Sequence, residues 1–272
     1  MSLGAMSPGA VRTLIILGVL VLWEALPRLG LVPMLFLPPL TTTLVAGFSD
    51  WRVYGAALVV TLTEVAAALV FAVGGGILIG AFVGALAGPR RILLPVFSSF
   101  YAVPIVVLYP VFTAWFGIGS ESKIAFAAIY GFFPTMLATA AGIQTIDPNL
   151  VLTARSMGAT PVQRLLRVIL PASIPTLLAG LRLGGALVIV GVVVAEMLIS
   201  AAGIGYLVTS SRTVLDSPRV FAGVLLVLVI AMGFDMAMRV VERRCAAWGG
   251  GAPAQVPRRR PIARETGQAN AA

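Results

Sequence analysis

The sequence predicts an all-α, polytopic integral membrane protein: six transmembrane helices and one hairpin of two short helices on the inner side. Three observations carry this. With 59% hydrophobic residues, 11% charged residues and a mean hydropathy of +1.03, the composition is far from that of a soluble domain. Six apolar runs, near or above the roughly 20 residues a span needs, divide the 272 residues. The basic residues are shared unevenly between the loops that these runs create.

The first run, Val11–Leu26, is short enough for a signal-peptide core, but Pro27, Arg28 and a Pro-rich stretch follow it instead of a small-residue cleavage site. It reads as a retained span with Trp23 at the interface. Pro33, Pro38 and Pro39 make an extended connector, and Thr41–Phe48 is expected to lie along the surface. The second run, Ala56–Ala87, holds Gly76, Gly80 and Gly84, and Gly88 follows at the same four-residue spacing. That spacing aligns a flat strip on one helix face, suited to close helix packing and less to ligand binding. The third run, Ile92–Phe116, is interrupted by Pro95, Pro104 and Pro110. It reads as a kinked helix, and Pro104 and Pro110 are also candidates for the wall of a translocation path. The fourth run, Ile124–Ile143, has Ser120 as a cap and Pro134 as a kink. The fifth, Ile174–Ile199, carries Gly180 and Gly184 at packing spacing. Ser200–Pro218 is too polar to span, and Ser217-Pro218 is expected to cap the sixth run, Val220–Met238. Residues 1–248 thus read as one membrane unit, and residues 249–272 as a basic, Pro/Gly/Ala-rich tail expected to be disordered.

Between runs four and five lies the only sizeable interior stretch that is not membrane-grade, residues 147–171. Asp147 followed by Pro148, and Thr160 followed by Pro161, are two helix starts. Gly158 between them allows a turn at positive φ. Val162, Leu165, Leu166 and Ile169 share one side of the second helix, away from Gln163, Arg164 and Arg167, and Pro171 is expected to stop it. Pro175 is expected to help start the next element.

With the N-terminus inside, the inner loops hold thirteen of the nineteen basic residues, the outer loops five, and Arg182 lies within run five. This obeys the positive-inside rule, puts both termini in the cytoplasm and places the hairpin there too. The basic tail reads as an anchor of that orientation; an anionic-lipid or nucleic-acid contact is the other reading. Ionisable residues at membrane depth are functional candidates: Glu64, Arg182, Glu196 and Asp235. Arg182 lies ~12 Å along its helix, able to snorkel or to line a path. Glu196 is expected to be solvated near the outer end, and Asp235 to pair with Arg239 one turn on. For each, a pair within the bundle is the plainer reading and solute contact the sharper one.

Enzyme chemistry finds little footing. The lone lysine, Lys123, follows Ser122, so there is no P-loop; with no histidine and one cysteine, neither a Ser–His pair nor a His/Cys metal site can form within the chain. Lys123 is expected in an outer loop.

The run Ala154-Arg155-Ser156-Met157-Gly158-Ala159, followed by Val168-Ile169-Leu170-Pro171, resembles the EAA loop of ABC-transporter importer permeases. The branch it resembles serves nitrate, taurine, aliphatic sulfonates and related solutes. Pro104–Gly119, PIVVLYPVFTAWFGIG, and Ala195–Gly205, ending in Gly203-Ile204-Gly205, resemble the same branch. The resemblance covers roughly Trp23 to Trp248. It implies that Leu152, Thr153 and Ala154–Ala159 form a coupling helix docking into a cleft of a cytoplasmic ATPase, with Leu170 and Pro171 ending the loop. Leu152 stands where the family's usual Glu falls and Thr153 where its first Ala falls, so a salt bridge from that Glu is missing or supplied elsewhere.

The resemblance further implies a dimer of permeases, commonly two copies of one chain, in the cell inner membrane. Two ABC ATPase subunits and a periplasmic or lipid-anchored solute-binding protein complete the assembly. No cofactor is expected on this chain; ATP and Mg belong to the ATPase. Transport would follow alternating access driven through the hairpins. The alternative is a secondary transporter or channel subunit, which needs no ATPase. Against it, the six runs show no duplicated halves and the hairpin would have no task. An ATPase gene and a binding-protein gene beside this one would discriminate the two.

Overall fold

The computed structural model describes residues 7–248; the expected tail disorder lies outside them. All regular structure there is helical: α1 (Pro8–Arg28), α2 (Leu40–Ser49), α3 (Trp51–Ala85), α4 (Ala87–Tyr101), α5 (Tyr109–Phe116), α6 (Ser120–Gln144), α7 (Pro148–Ser156), α8 (Pro161–Arg164), α9 (Leu170–Leu198), α10 (Ile204–Thr213) and α11 (Ser217–Trp248). Among the described residues, five helices are long and apolar enough to cross a membrane, at Gly9–Arg28, Trp51–Ala85, Ser120–Gln144, Pro161–Leu198 and Ser217–Cys245. A sixth crossing would be the pair Ala87–Tyr101 and Ile105–Phe116, bent by 79°.

That bend corrects the reading of run three as one kinked helix. The α-helix stops at Tyr101, Pro104 opens a 3₁₀ turn over Ile105–Leu108, and Pro110 sits in the first turn of α5. A proline at a helix start loses no hydrogen bond, so these prolines restart the helix and do not bend it from within. Gly117, at φ +80°, ends α5.

The bundle is organised on α6, which packs between α3 and α9. Glycine sets how close they come. A Cβ on Gly76 would lie 2.8 Å from Thr135 Cβ, on Gly80 2.5 Å from the Met136 carbonyl oxygen, and on Gly84 3.0 Å from Ala140 Cα, all on α6. On the α9 side, a Cβ on Gly180 would lie 2.7 Å from Ala138 Cβ, and one on Gly184 2.8 Å from the Gly131 carbonyl oxygen. With no hydrophobic drive between helices in lipid, such backbone approach is how they associate. Gly88 departs from the expected strip: nothing lies within 4 Å of its Cβ position. Leu86 is extended and breaks the helix between α3 and α4, so the four-residue spacing no longer holds one face. Val65, Ala68 and Ala72 of α3, Ala127 of α6 and Val188, Ile189 and Val192 of α9 fill the space between the three helices. The apolar window of α1 buries none of its residues in the protein; Trp23 attaches the helix by an edge contact to Phe221 and an Nε1–H bond to the Pro38 carbonyl.

Two further expectations are corrected. Pro171 does not stop the second hairpin helix. A π turn over Leu165–Ile169 continues α8 into α9, Pro171 lies in the first turn of α9, and Pro175 lies inside it. The Leu170 amide bonds back five residues to the Leu165 carbonyl, and this wider turn absorbs a residue that has no N–H of its own. The cap of α11 is Asp216, not Ser217-Pro218: its Oδ1 accepts from the Arg219 amide at 3.2 Å.

Candidate functional site: the hairpin and the polar clusters of the bundle

Local chemistry accounts for the hairpin turn by turn. Asp147 accepts from the Asn149 amide at 2.9 Å, with Pro148 at the first helical position. At the other end of α7, the Ala159 amide bonds the Ala154 carbonyl and the Gly158 amide the Arg155 carbonyl, with Gly158 at φ +78°. This is a Schellman closure, which needs the left-handed residue that glycine supplies. Thr160 and Gln163 then form a reciprocal capping box: the Gln163 amide donates to Thr160 Oγ1 and the Thr160 amide to Gln163 Oε1. Replacing Thr160 by Ala is expected to cost about 1 kcal/mol locally. Faster amide exchange confined to residues 161–170 would register it, and unchanged exchange would show that packing holds the turn.

Ala154 is buried within the hairpin, while Leu152 is 60% exposed, Met157 82%, Val162 63% and Leu166 57%. Thr153, Arg155, Ser156 and Gly158 are exposed and Ala159 half-buried. The hairpin's one carboxylate, Asp147, caps α7, so its outward face is apolar and cationic.

The intramembrane candidates fall into two places. Arg182 lies on the rim of a cleft of about 600 Å³ between α9 and α11, walled by side chains such as Leu183, Val190, Val227 and Phe234. Its guanidinium pairs with Asp235 and, at 3.5 Å, with Glu242; Arg239 Nε holds the other Asp235 oxygen at 2.8 Å. The Asp235–Arg239 pair was legible from spacing, and the bridge to α9 was not. Pro104 lies separately, on a smaller cleft of about 230 Å³ with Tyr101, Tyr130 and Leu187, and Pro110 is exposed on α5.

Glu64 and Glu196 line neither cleft. They sit inside the bundle, at the end remote from the hairpin. Lys123, expected in a loop, is buried and pairs with Glu64 at 2.5 Å. Glu196, expected to be solvated, is buried too: Thr61 donates to Oε1 at 2.7 Å and the Gly205 amide to Oε2 at 2.8 Å. The reason is the Ser200–Gly205 turn, which folds back over the end of α9. Gly203, at φ +107°, lies so close to the Glu196 carboxylate that a Cβ would overlap it. Two signals could have found the first pair: a lone lysine opening an apolar helix, and a lone glutamate inside another.

Known proteins agree with this architecture. The profile of the family described as binding-protein-dependent transport system inner membrane component matches residues 73–246. The chain is 32% identical over 239 residues to the taurine transport system permease protein TauC of Escherichia coli K12, covering 85% of this chain and 86% of that one. It is 30% identical over 233 residues to SsuC of Bacillus subtilis strain 168, a permease protein named for aliphatic sulfonates transport, covering 85% and 84%. Among solved structures, a chain of the MetNI methionine ABC transporter in inward-facing conformations superposes with a TM-score of 0.65 over 72% of this chain and 97% of that one; at 17% identity it speaks for the fold. A bundle of apolar spans broken by one capped hairpin, with a family match over residues 73–246 and sequence identity along most of the length of these relatives, has one reading. The chain belongs to the binding-protein-dependent transport system inner membrane component family and is a multi-pass permease subunit of an ABC importer, not itself an enzyme.

Proposed function

We propose that this chain pairs with a second copy of itself in the inner membrane to form the translocation path for a small sulfonate-class anion, taurine or an alkanesulfonate. The hairpin, through Leu152–Ala159, docks on a cytoplasmic ATPase, both termini face the cytoplasm, and a solute-binding protein delivers the anion from the other side. The observation that carries the reading is the hairpin: a tightly capped, surface-projecting element with exposed Leu152, Met157 and Val162, set between two membrane-grade helices. A carrier without an ATPase would have no use for it. The relatives named for taurine and aliphatic sulfonates support the solute class. The arginine distribution supports the orientation.

Mechanically, the ATPases change the balance between two packings of the bundle, and the hairpin conveys the change because α8 runs through the π turn into α9. ATP and Mg act on the partner subunit. The test is ATP-dependent uptake of labelled taurine and short alkanesulfonates by proteoliposomes holding the permease, its ATPase and its binding protein. Saturable uptake of either is expected; uptake of neither, with an active ATPase present, would overturn the solute class.

Arg182 acts here as a strap between α9 and α11. Its pairing with Asp235 and Glu242 supports this role over direct contact with the anion. Arg182→Gln is therefore expected to lower the thermal midpoint modestly while leaving the KM for uptake unchanged. A tenfold rise in KM, equivalent to about 1.4 kcal/mol, would assign it to the solute instead.

A further inference from the structure

Between α4 and α5 the backbone leaves the helix in the middle of the membrane. Tyr101 is the last residue of α4, Ile105–Leu108 form a 3₁₀ turn, and the two halves meet at 79°. The depth follows from the helices alongside. Tyr130 of α6 lies ~15 Å from Ser120, and Leu187 of α9 lies ~17 Å from Leu198, each measured from the end remote from the hairpin. Half of a bilayer core is ~15 Å, so the break stands near the midplane.

Hydrogen bonds do not close across it. The Ala102 amide still bonds the Ser98 and Ser99 carbonyls, and the Val103 amide the Phe100 carbonyl. Among the described residues, nothing donates to the Tyr101, Ala102 and Val103 carbonyls and nothing accepts from the Ile105 amide; Pro104 has no amide to give. Tyr101 and Val103 are 43% and 45% exposed, so the rest of the chain does not cover them. Irregular backbone at membrane depth persists only where protein buries it or water reaches it. An apolar helix of a second copy could not satisfy these groups, because its own amides and carbonyls are already paired. Water is what remains.

Side chains add to the polarity. The cleft of about 230 Å³ at the break is lined by Tyr101, Pro104, Tyr130 and Leu187, and by no charged residue. The Tyr54 hydroxyl is taken by the Arg219 carbonyl and that of Tyr109 by the Ile199 carbonyl, whereas those of Tyr101 and Tyr130 have no partner among the described residues. The cations of the bundle are committed elsewhere, Lys123 to Glu64 and Arg182 to Asp235. The cleft therefore offers donors and acceptors together and no net charge. A bare anion would cross the midplane here without a counter-ion, which is expensive. A zwitterion brings its own.

We propose that this cleft holds the solute in transit, and that it takes a small amino-sulfonate such as taurine in preference to an alkanesulfonate. The Tyr101 and Tyr130 hydroxyls donate to the sulfonate oxygens, and the free carbonyls of residues 101–103 accept from the ammonium. Neutral hydrogen bonds of this kind hold loosely enough for release, as passage demands. The proposal rests on the sulfonate-class reading and narrows it to one of the two solutes.

Thiol labelling of the full-length permease tests it. Cys245 is the chain's one cysteine, so in a Cys245→Ser background Val103→Cys carries the sole thiol, with Ala102→Cys as the second variant should the first fold poorly. The protein is reconstituted in vesicles of phosphatidylethanolamine and phosphatidylglycerol. Trimethylammonioethyl methanethiosulfonate, permanently charged and reactive only with a water-exposed thiol, is supplied on both sides. The thiol at the break is expected to react, and that of Val70→Cys, a position 70% exposed on α3, is not. Taurine should slow the reaction, and ethanesulfonate at equal concentration should not. With Tyr130→Phe added, about fivefold more taurine should be needed, the worth of one neutral hydrogen bond. Absence of labelling at both 102 and 103 would mean that lipid or a second copy covers the break, and overturns the proposal. So does protection by both solutes alike, or by neither. Uptake by the complete assembly separates these failures from a failure of the solute class. If either solute is transported, the labelling result removes this proposal alone; if neither is, the sulfonate-class reading falls and the proposal with it.

Discussion

Gly158→Asp is expected to abolish co-purification of the partner ATPase and, with it, ATP-driven uptake, while the permease stays folded and inserted. The argument is geometric. Gly158 sits at φ +78° at the tip of the hairpin, with nothing within 4 Å of its Cβ position. Aspartate is among the few residues that visit this conformation without large strain, so the Schellman turn can survive. What changes is the surface offered to the partner. A carboxylate now projects between Met157 and Val162 from a face that was apolar and cationic. Desolvating an unpaired charge at an interface core costs about 2 kcal/mol or more, roughly a thirtyfold loss of affinity. The readout is the ATPase:permease ratio after detergent solubilisation, with the permease's thermal midpoint as the control. Retained ATPase with the wild-type ratio would place the docking surface elsewhere.

The largest stability losses are expected from Gly131→Leu and Gly184→Leu. These glycines face each other where α6 and α9 cross. A Cβ on Gly131 would lie 2.6 Å from the Gly184 carbonyl oxygen, and one on Gly184 would lie 2.8 Å from the Gly131 carbonyl oxygen. Side chains crowd the same positions, Val188 at Gly131 and Thr135 at Gly184, but the carbonyl oxygens are backbone and cannot step aside like the end of a side chain. Separating the helices would also open the contacts of Val188 and Val192 with α3. A loss at or above the upper end of the usual 1–3 kcal/mol for overpacking is expected, about 3 kcal/mol. The thermal midpoint in detergent should drop sharply for both variants and stay level for Gly88→Ala, whose Cβ position is open. Equal midpoints for all three would mean that the α6–α9 crossing carries little of the bundle's stability.

Gly131 illustrates where sequence reasoning ended. Gly180 and Gly184 stand four apart and announce a packing face, whereas Gly131 is isolated and announces nothing. Its role depends on which face of α6 meets α9, and no local pattern encodes that. Gly88 is the converse: the spacing was right, but the helix breaks at Leu86 and the strip ends with it.

By itself the sequence determined the all-α membrane class, the approximate limits of the spans and the hairpin's two starts and its turn. These depend on apolar run length, on the missing amide of proline, on side-chain caps two or three residues away and on the free φ of glycine at position 158. All are interactions within a few residues of chain. Only the tertiary structure decided that run three bends by 79°, that a π turn carries the helix on past Pro171, and that Arg182 is tied to α11. It alone brought Glu64 to Lys123 and folded the Gly203 turn over Glu196. Those partners lie tens of residues apart or across a tight turn. Which buried charges meet is set by how helices pack side by side, and in lipid that packing follows shape and backbone approach more than any periodicity a single helix displays.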